Sequence, residues 1–337
     1  MAQLLGLTLL SLFITSILII PFIDFLYKIK LRRQKQTTSD LFNKPTPVFD
    51  KFNAWKVGTP FGGGILIIFV STALFLWTFG ILNISIHPWE AFVILFTFIS
   101  FGILGLYDDA KKLVGGDRKI PFFGLRFRYK FILQWILALI SASVLYNNLG
   151  YSFLFIRGIG LTDIGLLYIP FAAFTIVSFA NAFNIADGLD GLAPGLLLIA
   201  LVSFLAISYS NVDQGLGVFI AILMGSVAAF LYFNIYKARI WLGDVGSMSL
   251  GASLAIIGLL TGKTMTMAVI GGVFVLEVGS SLIQILGKRF LKRKLLPVAP
   301  LHLYFQQRGW DEPKIVMRGW LLGVFFAILG LYLAFIK

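Results

Sequence analysis

Five of the chain's 15 acidic residues, Asp108, Asp109, Asp187, Asp190 and Asp244, stand where long apolar runs end, in three separate segments. In "GLYDDAKKL" the Asp108 and Asp109 pair closes an apolar run, and Lys112 follows three residues after Asp109. Carboxylates and waters suit Mg²⁺, and a hard divalent ion bridging phosphate oxygens is the usual partner of phosphoryl transfer. The plainer reading of the pair is a helix end made soluble by charge. "NAFNIADGLDGLAPG" steps through Asn181, Asn184, Asp187 and Asp190 at intervals of three, with glycines at 188, 191 and 195. That spacing gathers polar side chains on one helix face, and the glycines permit tight turns or close approach of a ligand to backbone. The plainer reading is a polar turn between two spans, which the two amides just inside the apolar run weaken.

A third group, "FNIYKARIWLGDVGSMSLG", brings Asn234, Trp241, Asp244 and Ser247 into one short loop. Glycines flanking an Asp-containing turn leave backbone N–H groups open to phosphate, and an exposed Trp can stack a base or a ring. Trp241 is equally readable as a residue of the interfacial aromatic belt. The last group, "PVAPLHLYFQQRGWDEPKIVMRGW", carries His302 between Trp310 and a basic run of Lys288, Arg289, Lys292, Arg293 and Lys294. Lone histidines more often pack or cap than catalyse, and such a run alone reads as facing lipid headgroups, yet both are chemically sensible beside a phosphate. Glu277, inside an otherwise apolar span, is costly in lipid and is expected to face the bundle interior or the site.

The elements that must position these groups are membrane helices. The 337 residues are 58% hydrophobic and 13% charged, with a mean hydropathy of +0.92, too apolar for a soluble domain of this size. Apolar runs predict ten spans, at 4–27, 61–79, 88–107, 131–145, 164–183, 192–209, 216–233, 248–260, 266–286 and 320–336. The fold class is therefore an all-α integral membrane protein. The short eighth run is also compatible with a partly buried segment. The first run lacks a basic leader and is too long for a signal segment, so it is expected to be a retained helix.

With ten spans, the loops at 28–56, 111–130, 237–239 and 288–318 fall on one side and hold 25 of the 28 basic residues; Arg157, Lys263 and Lys337 lie opposite. The positive-inside rule then puts both termini outside and all five aspartates at the cytoplasmic face. The functional loops expected there are 28–60, 108–130, 184–191, 234–247 and 287–319 of a single membrane domain. On the outer side, "YSFLFIRGIGLTD" at 151–163 alternates enough to form a small hairpin. The net charge of +13 is accounted for by topology and anionic headgroups, so no nucleic-acid partner is required. The absence of cysteine removes disulfides and thiolate metal sites, and two histidines cannot make a His-rich one. A transporter or flippase would place its acids near the bilayer midplane in repeated halves; these aspartates sit at one face, and no repeat is seen.

The ordered motifs resemble one family, the polyprenyl-phosphate N-acetylhexosamine-1-phosphate transferases of bacterial cell-wall synthesis. The likeness runs through "KVGTPFGGG" at 56–64, "YDDAKK", "GLRFRYK" at 124–130, "NAFNIADGLDG", "WLGDVGS" and "PLHLYFQQRGWDEP". It implies a multi-pass enzyme of the bacterial inner membrane, with Mg²⁺ as cofactor. The reaction implied is transfer of phospho-N-acetylmuramoyl-pentapeptide from UDP-N-acetylmuramoyl-pentapeptide to undecaprenyl phosphate, giving lipid I and UMP. The sister reaction, with UDP-N-acetylglucosamine as donor, is the alternative. By motif position the resemblance implies Asp108, Asp109, Asp244 and His302 as catalytic, with the three aspartates at the metal. Lys56, Thr59, Lys112 and Lys130 fall around the nucleotide and phosphates, Asp187 and Asp190 with Asn181 and Asn184 border the nucleotide, Asn234 supports the phosphate region and Trp241 stacks on uracil. A homodimer is suggested by the resemblance alone. The chain departs from the family at "HLYFQ", where His302 stands alone in place of three consecutive histidines and Gln306 replaces an acid; the departure bears on which peptide-sugar is used.

Overall fold

The structure, a computed structural model, describes residues 1–33, 45–82, 86–114, 127–156, 160–210 and 214–336. The expected loop segments 34–44 and 115–126, including the start of "GLRFRYK", lie outside the described residues. The chain runs α1 (Ala2–Lys28), the short α2 (Pro47–Asn53), α3 (Gly63–Leu82), α4 (Pro88–Val114) and α5 (Phe127–Asn147). A hairpin follows, β1 (Phe153–Ile156) antiparallel to β2 (Gly160–Asp163), with Phe153 opposite Asp163. Then come α6 (Tyr168–Ala186), α7 (Leu192–Ser210), α8 (Gln214–Asn234), α9 (Gly243–Leu260), α10 (Thr264–Ile270), α11 (Gly272–Phe290), α12 (Leu301–Gln307) and α13 (Glu312–Phe335).

Among the described residues nine helices are long and apolar enough to cross a membrane, and ten if α10 and α11, bent by 82° at Gly271, form one span. Each expected run is helical, with four differences. The third run, α4, goes on to Val114, seven residues past its expected end, so Asp108, Asp109 and Lys112 are helical rather than in a loop. The eighth run is no partial segment: α9 begins five residues earlier, taking Asp244 into its first turn, and is the most enclosed span. The ninth run is broken at Gly271. The tenth helix starts at Glu312 rather than Trp320, because an acid followed by Pro313 in the first turn begins a helix well.

The centre of the bundle is α9, packed on α3, α4 and α6, while α1 lies along α8 and α7 lies between α8 and α13. In lipid, close packing must replace the hydrophobic drive between helices, and small residues supply it. A Cβ on Gly64 would fall 2.2 Å from Gly246 Cα, and one on Gly225 would fall 2.2 Å from the Thr8 carbonyl oxygen. Around the latter contact a buried hydroxyl cluster ties three helices. Ser11 Oγ donates to the Ile222 carbonyl (2.7 Å), and Ser11, Thr15 and Ser71 all meet Ser226 Oγ within 3.2 Å.

Candidate active site

The aspartates from three segments do converge. Lys112, one turn beyond the Asp pair on α4, reaches Asp108 Oδ2 (3.2 Å), Asp109 Oδ1 (3.5 Å) and Asp244 Oδ2 (2.8 Å). Lys130, in the first turn of α5, reaches Asp108 Oδ2 (3.0 Å) and the same Asp244 oxygen (2.6 Å). Two ammonium groups thus sit among three carboxylates. Asn184 Nδ2 donates to the other Asp244 oxygen (3.1 Å) and to Ser247 Oγ (2.6 Å), which draws α6 to the same point.

Glycine makes this geometry reachable. Gly105 lies so close to α9 that a Cβ there would be 2.2 Å from the Asp244 carbonyl oxygen. Gly243 turns the chain into α9 at φ +74, in the left-handed region where a side chain is strained. With α4 this near, Asp109 Oδ2 accepts the Val245 N–H (3.1 Å), one of the free donors at the helix start. Asp109 therefore fastens the helix that presents Asp244, while Asp108 and Asp244 share both lysines.

Beside this cluster the turn at 187–191 is held from many directions. Lys56 is buried, at 1% exposure, and its ammonium pairs with Asp190 Oδ1 (3.1 Å) and Glu312 Oε1 (2.7 Å) and donates to the Gly188 carbonyl (3.2 Å). Glu312 Oε1 also accepts the Asp190 N–H (2.7 Å), and Asp190 Oδ2 accepts that of Ala238 (2.9 Å). Asn234 Oδ1 accepts the Gly191 N–H (3.0 Å), while its Nδ2 donates to the Ile240 carbonyl (2.8 Å). Enclosure by protein first, and the Asp244 charge second, push the Asp187 carboxyl well above the usual carboxylate range, against the opposing charge of Lys56.

Thr59 and Trp241 lie in a backbone lacing. Arg33 N–H donates to the Thr59 carbonyl (3.0 Å), Trp241 N–H to that of Pro60 (3.0 Å), and Gly63 N–H to that of Trp241 (2.9 Å). The Trp241 ring carries two cations, Lys56 Nζ at 4.5 Å and the Arg33 guanidinium at 5.0 Å from its centroid. Asn181 Nδ2 donates to Gln134 Oε1 (2.8 Å) and the Val177 carbonyl (2.7 Å), one turn deeper than Asn184. His302 is buried against Glu277, with Nδ1 3.0 Å from Oε2. Motif reading passed over Glu312 and Gln134. The first was signalled by an acid beside Pro313, the second by an amide one helical turn after Lys130 in an apolar span.

The chain is similar to one family of known proteins. Residues 91–262 match the family model described as glycosyl transferase family 4. Phospho-N-acetylmuramoyl-pentapeptide-transferase of Borrelia hermsii (strain HS1 / DAH) is 37% identical over 299 residues, 82% of each chain. The chain belongs to glycosyl transferase family 4. The proteins of the same name from Borrelia turicatae (strain 91E135) and Rickettsia canadensis (strain McKiel) are 36% identical over 325 residues and 38% over 297, covering 89% and 82% of this chain and 88% and 80% of their own. Within this family 4 chain the matched stretch holds all five aspartates with Lys112 and Lys130, while Lys56, Glu277, His302 and Glu312 come from outside it.

Proposed function

We propose that the chain is a phospho-N-acetylmuramoyl-pentapeptide transferase of the bacterial inner membrane, with both termini external and the aspartate cluster at the cytoplasmic face. The observation that carries the reading is Asp108, Asp109 and Asp244 brought onto Lys112 and Lys130, in a chain whose relatives of that name match it over 82% or more of its length. The lipid phosphate oxygen of undecaprenyl phosphate forms a bond to the sugar-linked phosphorus of UDP-N-acetylmuramoyl-pentapeptide, and the bond to UMP breaks, leaving lipid I.

Two anions must meet for this, and positioning with charge compensation is most of what phosphoryl transfer asks of a protein. Lys112 and Lys130 supply that compensation to the pyrophosphate. Asp108, whose oxygen already lies beside both ammonium groups, is placed to take a proton from the lipid phosphate, and Asp109 holds α9 in register. Among the described residues no group of three or more His, Cys, Asp or Glu is gathered as a metal cage. The carboxylates of Asp108 and Asp244, which share both lysines, are the hard oxygen donors that Mg²⁺ takes one or two at a time, with water and phosphate oxygens completing its shell. Asp244 with Asp108 would hold it, and when bound it would offset charge between the phosphates.

UMP release by the purified protein, given undecaprenyl phosphate, Mg²⁺ and either UDP-N-acetylmuramoyl-pentapeptide or UDP-N-acetylglucosamine, tests this. Turnover of the muramoyl donor, lost in Asp244→Ala, is expected; turnover of only the glucosamine donor would transfer the protein to the sister reaction.

A further inference from the structure

Glu277 and His302 have no part in the chemistry just described, yet both are buried. Glu277 lies on the inner face of α11 and takes His302 with both oxygens. Oε1 accepts the His302 backbone N–H (3.1 Å), and Oε2 faces ring Nδ1 (3.0 Å). Seven residues on, two helical turns along the same face, Gln284 grips the preceding loop. Its Nε2 donates to the Leu296 carbonyl (2.8 Å), and its Oε1 accepts the N–H groups of Leu295 (3.1 Å) and Leu296 (3.0 Å). The start of α12 is thus fixed to α11 by a polar ridge.

The far edge of the imidazole meets the turn at 187–191. A Cβ on Gly188 would lie 2.6 Å from His302 Nε2 and 3.0 Å from Cε1, so the ring occupies the space that any side chain at 188 would need. Gly188 follows Asp187, and its own carbonyl accepts a hydrogen bond from Lys56 Nζ (3.2 Å), the ammonium that also pairs with Asp190 of the same turn. A histidine pinned by a carboxylate on one nitrogen and pressed on backbone with the other is built as a stop. A hydrogen bond at Nδ1 also fixes which nitrogen carries the proton.

We propose that Glu277 is a positioning residue for the transfer, acting through His302 and Gly188 to set where Asp187 stands, and that His302 is itself a positioning residue. This rests on the transferase reading above. A displaced turn misplaces the nucleotide end of the site, and small misplacements cost large factors in rate, about 10²-fold at the upper end.

The test measures UMP release across pH by the full-length protein and its variants. Glu277→Ala is expected to lower kcat/KM about tenfold, mainly through KM for the UDP-sugar, with Glu277→Gln recovering much of it. Gly188→Ala is expected to lose activity by a similar factor, and Gly188→Ala/His302→Ala to be no worse than His302→Ala alone, because removing the ring makes room for the methyl group. The pH profile of kcat should keep its shape in His302→Asn.

Full activity in Glu277→Ala, multiplicative losses in the double variant, or loss of a limb of the pH profile in His302→Asn would each overturn the proposal. Should Glu277→Ala fail to fold, the Gly188 pair decides, since it leaves Glu277 untouched. If the wild type turns over UDP-N-acetylglucosamine instead, the substrate reading fails, and the same variants assayed on that donor still decide the role of Glu277.

Discussion

Burial first, and the nearby Asp244 charge second, hold the Asp187 carboxyl well above the usual carboxylate range. Its folded-state pKa is raised, so its contribution to stability is fully present below the ordinary carboxylate value of about 4 and is lost as pH rises through the folded value. In metal-free protein, the thermal midpoint of the wild type should therefore fall relative to Asp187→Asn as pH climbs from that value toward neutrality. A difference independent of pH would show that the carboxyl is not held protonated by its surroundings. Lys56 shows what residue-level reading of the sequence cannot supply. The family resemblance puts this lysine near the nucleotide and phosphates, but its protein partners Asp190 and Glu312 are brought from elsewhere, the latter 256 residues away, and close an internal ion triad with it. The aspartates were legible because each ends an apolar run where charge is costly without a task.

At the scale of the element, the α4–α9 crossing decides whether the site exists. Gly105→Ala would drive a methyl group into the Asp244 and Val245 backbone, which has no side chain to move aside. UMP release is expected to fall about 10²-fold, while overpacking costs about 1–3 kcal/mol of stability. Equal activity per folded molecule would mean that the crossing tolerates separation. Helix positions were read well from apolar length, since lipid leaves the backbone few alternatives. Helix beginnings were read poorly. Asp244 and Ser247 look like loop because they are polar, yet they belong to α9, where the carboxylate sits in the first turn and Ser247 meets Asn184. The break at Gly271 was hidden for the converse reason, because both sides of it are apolar.

For the whole molecule, orientation can be tested cleanly because the chain has no native cysteine. A membrane-impermeant thiol reagent should label Asp163→Cys in intact cells, and Lys51→Cys and Lys237→Cys only after permeabilisation; the opposite pattern would invert the bundle. The sharing of Lys112 and Lys130 among three carboxylates has one more implication. The three carboxylates and two lysines compensate one another, so on the transferase reading proposed above each lysine exchanges a carboxylate oxygen for a phosphate oxygen when Asp244 takes a cation. Cation and nucleotide then bind as thermodynamic accomplices, each raising the other's affinity by the same factor. Titration of Mn²⁺ should accordingly give tighter binding in the presence of the UDP-sugar than without it, with the coupling shrinking in Lys112→Gln; equal affinities would mean that the lysines never stand in the cation's way.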